Sequence, residues 1–209
     1  MRLAVFASGG GSNFKSIINA VQRGDLPETE IGLCLSNKPS AGALQHAAAS
    51  EIPTAILHPS SFDSEAAYSD ALLATLHAHQ VDFIALAGYM LKIPSLVVET
   101  YVNRMVNIHP SLLPAFGGQG LYGRRVHEAV LGAGVRWTGA TVHLVDDDYD
   151  TGPIVVQEPV LVEQTDTPET LAARVLKTEH RLYPQAIRLF AEGRVRVKDR
   201  AVWIAPPAS

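Results

Sequence analysis

The stretch Arg104-Met105-Val106-Asn107-Ile108-His109-Pro110-Ser111-Leu112-Leu113-Pro114 runs from an apolar segment into a proline stop. Along a strand, alternate side chains share a face, so Asn107 and His109 project together while Ile108 points into the packing layer. Pro110 cannot donate to a further ladder bond and fixes the exit of the chain. An amide and an imidazole therefore stand side by side at the carboxyl end of a strand, which is where open α/β sheets gather their ligands.

Working outward from this strand, the upstream sequence alternates short apolar runs with helical stretches. Strands are expected at Arg2 to Ala7, Ile31 to Leu35, Thr54 to Leu57, Phe83 to Ala87 and Met105 to His109. Helices are expected from about Asn13 to Gln22, Gly42 to Ser50 and Ser64 to His79, with one more before Met105. Strands apolar on both faces, separated by helices, predict an α/β fold with a doubly wound, mostly parallel sheet. After Pro114 the character changes. Gly117 to Gly123 reads as a loop, Val126 to Leu131 as a short helix, and Thr141 to Val145 and Ile154 to Val162 as two antiparallel strands. Thr167, Pro168 and Glu169 open a long C-terminal helix to about Ala191, and Arg194 to Ile204 resembles a terminal hairpin.

The 209 residues contain no internal repeat and no linker long enough to separate independent domains, so one core is expected. Hydrophobic residues at 47% and charged residues at 18% describe a globular chain rather than a disordered one. The formal net charge of −4 and the absence of a basic stripe argue against nucleic acid as a partner. Cys34, the sole cysteine, lies in an apolar strand and fits a reducing compartment. The first apolar segment, Leu3 to Ala7, is too short for a signal peptide, and no run is long enough to span a bilayer. A cytoplasmic protein with no membrane partner is expected.

The turn Ser8-Gly9-Gly10-Gly11-Ser12-Asn13 joins the first strand to the first helix, where free amides and the helix dipole favour an anion. A phosphate group and a tight turn that merely needs glycine weigh about evenly. A dinucleotide fingerprint fails, because Phe14 occupies the third glycine position and the second strand ends Ser36-Asn37-Lys38 without an acid. A phosphomonoester suits the turn better.

An amide N–H and an imidazolium N–H can both donate to an oxygen that becomes negative during acyl transfer. A capping Asn and a surface His are the bland alternative. A positioned histidine needs a carboxylate, and Asp146, Asp147, Asp148 and Asp150 are all candidates that spacing cannot rank. No serine elbow, reactive thiol or paired metal-ligand spacing appears, so no metal is expected.

Taken together, Asn107-Ile108-His109-Pro110-Ser111-Leu112-Leu113-Pro114, Asp150-Thr151-Gly152-Pro153 and Ser8-Gly9-Gly10-Gly11-Ser12-Asn13 closely resemble the phosphoribosylglycinamide formyltransferases of purine biosynthesis. The resemblance extends to Ser36-Asn37-Lys38, Leu86-Ala87-Gly88-Tyr89-Met90 and Glu179-His180-Arg181-Leu182-Tyr183-Pro184, and so covers nearly the whole chain. It implies a single formyltransferase domain over residues 1–209, with a Rossmann-type phosphate-binding half at 1–110 and a folate-side half at 111–209. It also implies formyl transfer from 10-formyltetrahydrofolate to the amine of 5-phosphoribosylglycinamide, without a metal and with a homodimer as the family's habit. By this resemblance Asn107, His109 and Asp150 are catalytic, with His109 protonated and Asp150 raising its pKa. Gly11, Ser12, Asn13, Pro110 and Glu179 are implied to hold the phosphoribosyl substrate. Met90, Leu91, Lys92, Ile93, Asn107, Val145 and Asp147 are implied to hold the folate.

Two positions depart from the pattern. Leu91 follows Met90 where a basic residue is common, and Glu65 stands where some members place an arginine near the folate tail. Formyltetrahydrofolate deformylase and methionyl-tRNA formyltransferase share the Asn-x-His and Asp pattern but are expected to carry an extra N-terminal or C-terminal domain respectively. A phosphosugar-binding module without turnover is the non-enzymatic alternative.

Overall fold

The first strand, β1 (Arg2–Phe6), consists almost entirely of apolar residues, and Leu3, Ala4, Val5 and Phe6 are fully buried. A strand shielded on both faces needs helices above and below it, and the chain supplies them in alternation. The computed structural model describes residues 1–207. Within them the chain forms two compact units, Met1–Val106 and a second that begins at Asn107.

In the first unit β1 is followed by β2 (Glu30–Ser36), β3 (Thr54–Ile56) and β4 (Phe83–Leu86), in the spatial order β3-β2-β1-β4. The pairings of β1 with β2, β1 with β4 and β2 with β3 are all parallel. The connecting helices are α1 (Ser12–Gln22), α2 (Gly42–Ala49) and α3 (Glu65–Ala78), and α4 (Ser95–Thr100) leads toward β5. α1 buries Phe14, Ile17 and Ile18, the three-to-four spacing of an amphipathic helix. α3 starts where the Ser64 hydroxyl accepts from the Ala67 amide at 3.1 Å, satisfying one of the free donors of its first turn.

Because β1 lies between β2 and β4, the winding direction reverses beside its carboxyl end, the position at which such sheets open a crevice. Ser8 sits at that point and ties three strand ends together. Its amide donates to Gly88 O at 3.0 Å, its hydroxyl donates to Asn37 Oδ1 at 2.6 Å, and the Met90 amide donates to that hydroxyl at 2.8 Å.

β5 (Met105–His109) begins in the first unit and ends in the second. The second unit continues with α5 (Arg124–Gly132), β6 (Trp137–Leu144), β7 (Ile154–Leu161), α6 (Pro168–Ala191) and the hairpin β8 (Val195–Lys198) with β9 (Ala201–Ile204). β6 and β7 are antiparallel, as expected, with Thr141 opposite Gln157. α6 opens at Thr167, whose hydroxyl accepts from the Thr170 amide while Thr170 Oγ1 accepts from the Thr167 amide, a reciprocal cap. Its buried stripe runs through Leu171, Val175, Leu182, Ala186 and Leu189.

The α/β doubly wound architecture with antiparallel strands, a long C-terminal helix and a final hairpin is thus the one the sequence predicts. The clearest difference is β6, which starts at Trp137, four residues before the expected Thr141. Gly139 lies within this extension and is required there: a Cβ would lie 2.1 Å from Glu158 O on the paired strand.

Candidate active site

β5 delivers Asn107 half-buried and His109 buried at the end of the strand, two residues apart on one face. The exit that follows is clamped by Thr141 on β6. Its hydroxyl donates to Ser111 O at 2.6 Å and accepts from the Leu113 amide at 3.1 Å and from Gln157 Nε2 at 2.9 Å. Gln157 Nε2 also donates to Leu113 O at 2.9 Å. The prolines and leucines after His109 are therefore held by a buried polar clip, and the histidine is held with them.

Two residues in left-handed backbone conformations complete the site. Phe116 (φ 58°) turns its carbonyl to His109, whose Nε2 donates to it at 2.8 Å. Asp150 (φ 57°) places Oδ2 3.4 Å from His109 Nδ1, and Oδ1 accepts from Asn107 Nδ2 at 3.4 Å. The Gly118 amide donates to Asp150 Oδ2 at 2.9 Å. Gly117 has no room for a side chain, since a Cβ would meet Leu113 Cδ2 at 2.4 Å and Asp150 Cβ at 3.2 Å. Gly152 is tighter still, with Leu144 O only 1.8 Å from where its Cβ would be. These glycines let two loops close on one carboxylate.

Burial pushes the His109 pKa below the ordinary imidazole value, and the Asp150 carboxylate and Phe116 carbonyl recover only part of that shift. The expected protonated resting state is therefore not the favoured one. In the neutral ring the short bond to Phe116 keeps the proton on Nε2, and the Nδ1 lone pair faces Asp150. Burial by itself would raise the Asp150 carboxyl, but whatever positive charge His143 and His109 carry, and the bond from the Gly118 amide, bring it below the usual carboxylate range. Asp150 is thus ionised and ready to stabilise an imidazolium once His109 gains a proton.

Of the four acids in the loop, Asp150 alone approaches His109 among the described contacts. Asp146 accepts from the Thr151 hydroxyl at 2.7 Å, and Asp147 and Asp148 are exposed. Val145 is half-buried beside them. Pro110 follows β5 and is half-buried, and Glu179 lies on the buried face of α6 rather than on an exposed one. In the first unit, Gly11 is the left-handed residue (φ 76°) from which α1 starts, and Ser12 and Asn13 form its first turn. A Cβ on Gly11 would meet Ala43 Cα at 2.7 Å, whereas Gly9 and Gly10 have nothing within 4 Å, so packing requires glycine only at Gly11. Met90 and Lys92 are exposed, Leu91 is half-buried and Ile93 is buried.

Two histidines were not foreseen. His143 on β6 is buried, and its Nε2 lies 3.1 Å from Asn107 Nδ2. His127 on α5 is also buried, and its Nδ1 has no hydrogen-bond partner. Burial, then the proximity of His109, hold the His127 pKa below its ordinary value. Among the described residues, no group of three or more His, Cys, Asp or Glu is arranged to hold a metal ion.

An amide donor, an imidazole and an ionised carboxylate within reach of one another can take up a proton and support a developing oxyanion. Comparison with known proteins agrees with that chemistry, because residues 1–187 match the model of the formyl transferase family. The chain belongs to that family.

Within this family, the chain is 46% identical over 195 residues to the chloroplastic phosphoribosylglycinamide formyltransferase of Vigna unguiculata. That match covers 93% of the chain and 62% of the plant protein, so the chain spans less than two thirds of that relative. It is 40% identical over 187 residues to the phosphoribosylglycinamide formyltransferase of Bacillus subtilis, covering 90% of the chain and 93% of that protein. The crystal structure of glycinamide ribonucleotide transformylase 1 from Symbiobacterium toebii superposes with a TM-score of 0.92 at 38% identity, covering 99% and 94% of the two chains. A formyltetrahydrofolate deformylase of Pseudomonas syringae is more distant, with a TM-score of 0.87 at 25% identity over 97% of this chain and 65% of that one. The family resemblance drawn from the sequence motifs is borne out.

Proposed function

We propose that this chain transfers a formyl group from 10-formyltetrahydrofolate to the amine of 5-phosphoribosylglycinamide. The observation that carries the reading is the convergence of Asn107 Nδ2 and His109 Nδ1 on the Asp150 carboxylate, each at 3.4 Å. The Asn107 separation exceeds the ~2.7–2.9 Å of a saturated charge-assisted bond, and Nδ1 of the neutral His109 ring carries no proton, so both atoms keep capacity for a reacting oxygen or proton.

As the amine attacks the formyl carbon, the carbonyl π electrons move to oxygen and the amine acquires positive charge. Neutral His109 takes the amine proton at Nδ1, and Asp150 stabilises the imidazolium. Asn107 donates an N–H to the oxyanion, a contribution of ~3 kcal/mol for one such donor. His109 returns the proton to the departing folate nitrogen as the C–N bond breaks and the formyl carbonyl reforms. The amide product and the folate amine balance the step.

The substrate phosphate belongs at Gly11, Ser12 and Asn13, where the α1 amides and dipole favour an anion, with Pro110 and Glu179 on the phosphoribosyl side. The folate belongs against Met90, Leu91, Lys92 and Ile93, with Val145 and Asp147 in the Asp150 loop. On this reading the whole chain works as one formyltransferase domain, as a cytoplasmic homodimer without nucleic-acid or membrane partners. No helix among the described residues is long and apolar enough to cross a membrane, and the net charge is −4.

Absorbance loss of the 10-formyl co-substrate, followed with and without the phosphoribosyl amine, tests the proposal. Loss that requires the amine is expected. Amine-independent loss would make the chain a hydrolase, and no loss would leave it a binding module.

A further inference from the structure

On β6, Thr141 and His143 are both buried, and the ladder with β7 shifts register between Val142 and His143. His143 Nδ1 lies 2.8 Å from Leu144 O, which can only accept, so Nδ1 carries a proton. The other ring nitrogen, Nε2, lies 3.1 Å from Asn107 Nδ2 and 3.5 Å from Asp150 Oδ1. The second separation is beyond a good hydrogen bond. The same Asn107 nitrogen is 3.4 Å from Asp150 Oδ1. An amide oxygen in its place would face a carboxylate oxygen and a ring lone pair together, so the nitrogen belongs there.

We infer that His143 is a positioning residue whose Nε2 takes one Nδ2–H of Asn107 and so fixes which end of that amide faces the reacting carbon. The Asn107 amide has two N–H groups. His143 holds one at 3.1 Å, and the other is held only loosely at 3.4 Å from Asp150, which leaves it for the oxyanion. The terminal torsion of asparagine is broad and roughly two-fold. Without His143 the amide can turn over and present an acceptor where the transition state needs a donor. The geometry stands alone; only the kinetic consequence rests on the formyl-transfer reading.

The first experiment needs no activity. In ¹⁵N-histidine NMR of the wild-type chain, with His143 assigned by loss of its signals in His143→Gln, the neutral Nδ1–H tautomer is expected. An Nε2–H tautomer overturns the inference. The second is kinetic. His143→Leu should lower kcat ~10–100-fold, the scale of misplacing a catalytic group, with little change in KM. His143→Gln, whose Oε1 can reach the place of Nε2, should recover most of the loss. In an Asn107→Ala background, adding His143→Leu should cause no further loss, because the group it orients is gone. Near-normal turnover in His143→Leu, or losses that multiply in the double variant, would sink the idea. If the wild type consumes no 10-formyl co-substrate, the formyl-transfer reading fails while the tautomer measurement still decides this one. Should His143→Leu fail to fold, the wild-type tautomer and the glutamine variant decide it.

Discussion

His109 Nε2 donates to the carbonyl of Phe116 at 2.8 Å, and Phe116 reaches that position through a left-handed backbone (φ 58°). The ring of Phe116 is not what holds His109; the backbone is. Glycine adopts this conformation freely, whereas a β-branched residue there is strained by ~1–2 kcal/mol or more. Phe116→Gly should keep kcat within about threefold, and Phe116→Val should lower it by about tenfold, the size expected when a catalytic group is displaced. Steady-state kinetics of the two variants check this, and equal rates would show that the carbonyl contact does not position His109.

Asp150→Asn isolates the charge of the carboxylate. Asparagine tolerates the left-handed conformation at φ 57° and conserves volume, so Tm should change by only a few degrees. Loss of the charge should lower kcat by about 10²–10³, the scale of losing an acid–base partner. It also leaves burial of His109 less opposed, so the His109 pKa falls further and the acid limb of the pH–rate profile moves to lower pH. A limb that moves to higher pH would remove Asp150 from the account of the proton.

Stability should also fall in acid. His109 and His127 have folded-state pKa values below the ordinary ~6.5, so below that pH the unfolded chain binds more protons than the native one. Each contributes a loss of at most ~1.4 kcal/mol per pH unit, beginning near pH 6.5 and continuing down to its folded value. Asp150 and Asp166 act in the same direction at lower pH. Their folded pKa values are depressed, that of Asp166 to about 2 by its bond with Arg174, so the stability they add is present above about pH 4 and lost as pH falls toward 2. Urea unfolding at pH 7.5, 6.0 and 5.0 measures the histidine part, and a flat midpoint across that range contradicts it.

The two catalytic candidates on β5 were legible because a strand period and a proline stop are local properties of Asn107-Ile108-His109-Pro110. Asp150 was not legible from its own residues, since Asp146, Asp147 and Asp148 carry the same chemistry. What distinguishes it is a left-handed backbone and the Gly118 amide, and that contact spans 32 residues of chain. His143 was hidden differently. β6 is buried along nearly its whole length, so its polar residues show no alternation against solvent, and His143 stands between Val142 and Leu144 like any core position. Glu65 and Leu91, the departures from the family pattern, are an N-terminal residue of α3 and a half-buried loop residue with no contact to the catalytic trio among the described bonds.

Gly152 links the Asp150 loop to the end of β6. An added Cβ would fall 1.8 Å from Leu144 O, and the Leu144 amide already donates to Pro153 O at 2.8 Å, so the two segments cannot separate without breaking that bond. Gly152→Ala should destabilise the chain by about 3 kcal/mol or more, roughly 6–12 °C in Tm for a chain of this size. It should also lower kcat, because Asp150 moves with the loop. Thermal unfolding with parallel kinetics tests both effects, and an unchanged Tm would mean the loop relaxes elsewhere.

Thr141 offers the sharpest separation of packing from polarity. Valine matches its shape, but Thr141→Val deletes a hydroxyl that donates to Ser111 O and accepts from the Leu113 amide and Gln157 Nε2. Gln157 Nε2 retains Leu113 O as a partner, while the buried Leu113 N–H and Ser111 O each lose the bond described for them. Leaving such groups unsatisfied costs ~1–3 kcal/mol apiece, so a loss of about 2–4 kcal/mol is expected despite the gain in apolar character. Because this clip fixes the segment immediately after His109, kcat should drop even at temperatures where Thr141→Val is fully folded. Chemical denaturation gives the first quantity and kinetics well below Tm the second. Full activity in a destabilised variant would show that Thr141 supports the fold but not the placement of His109.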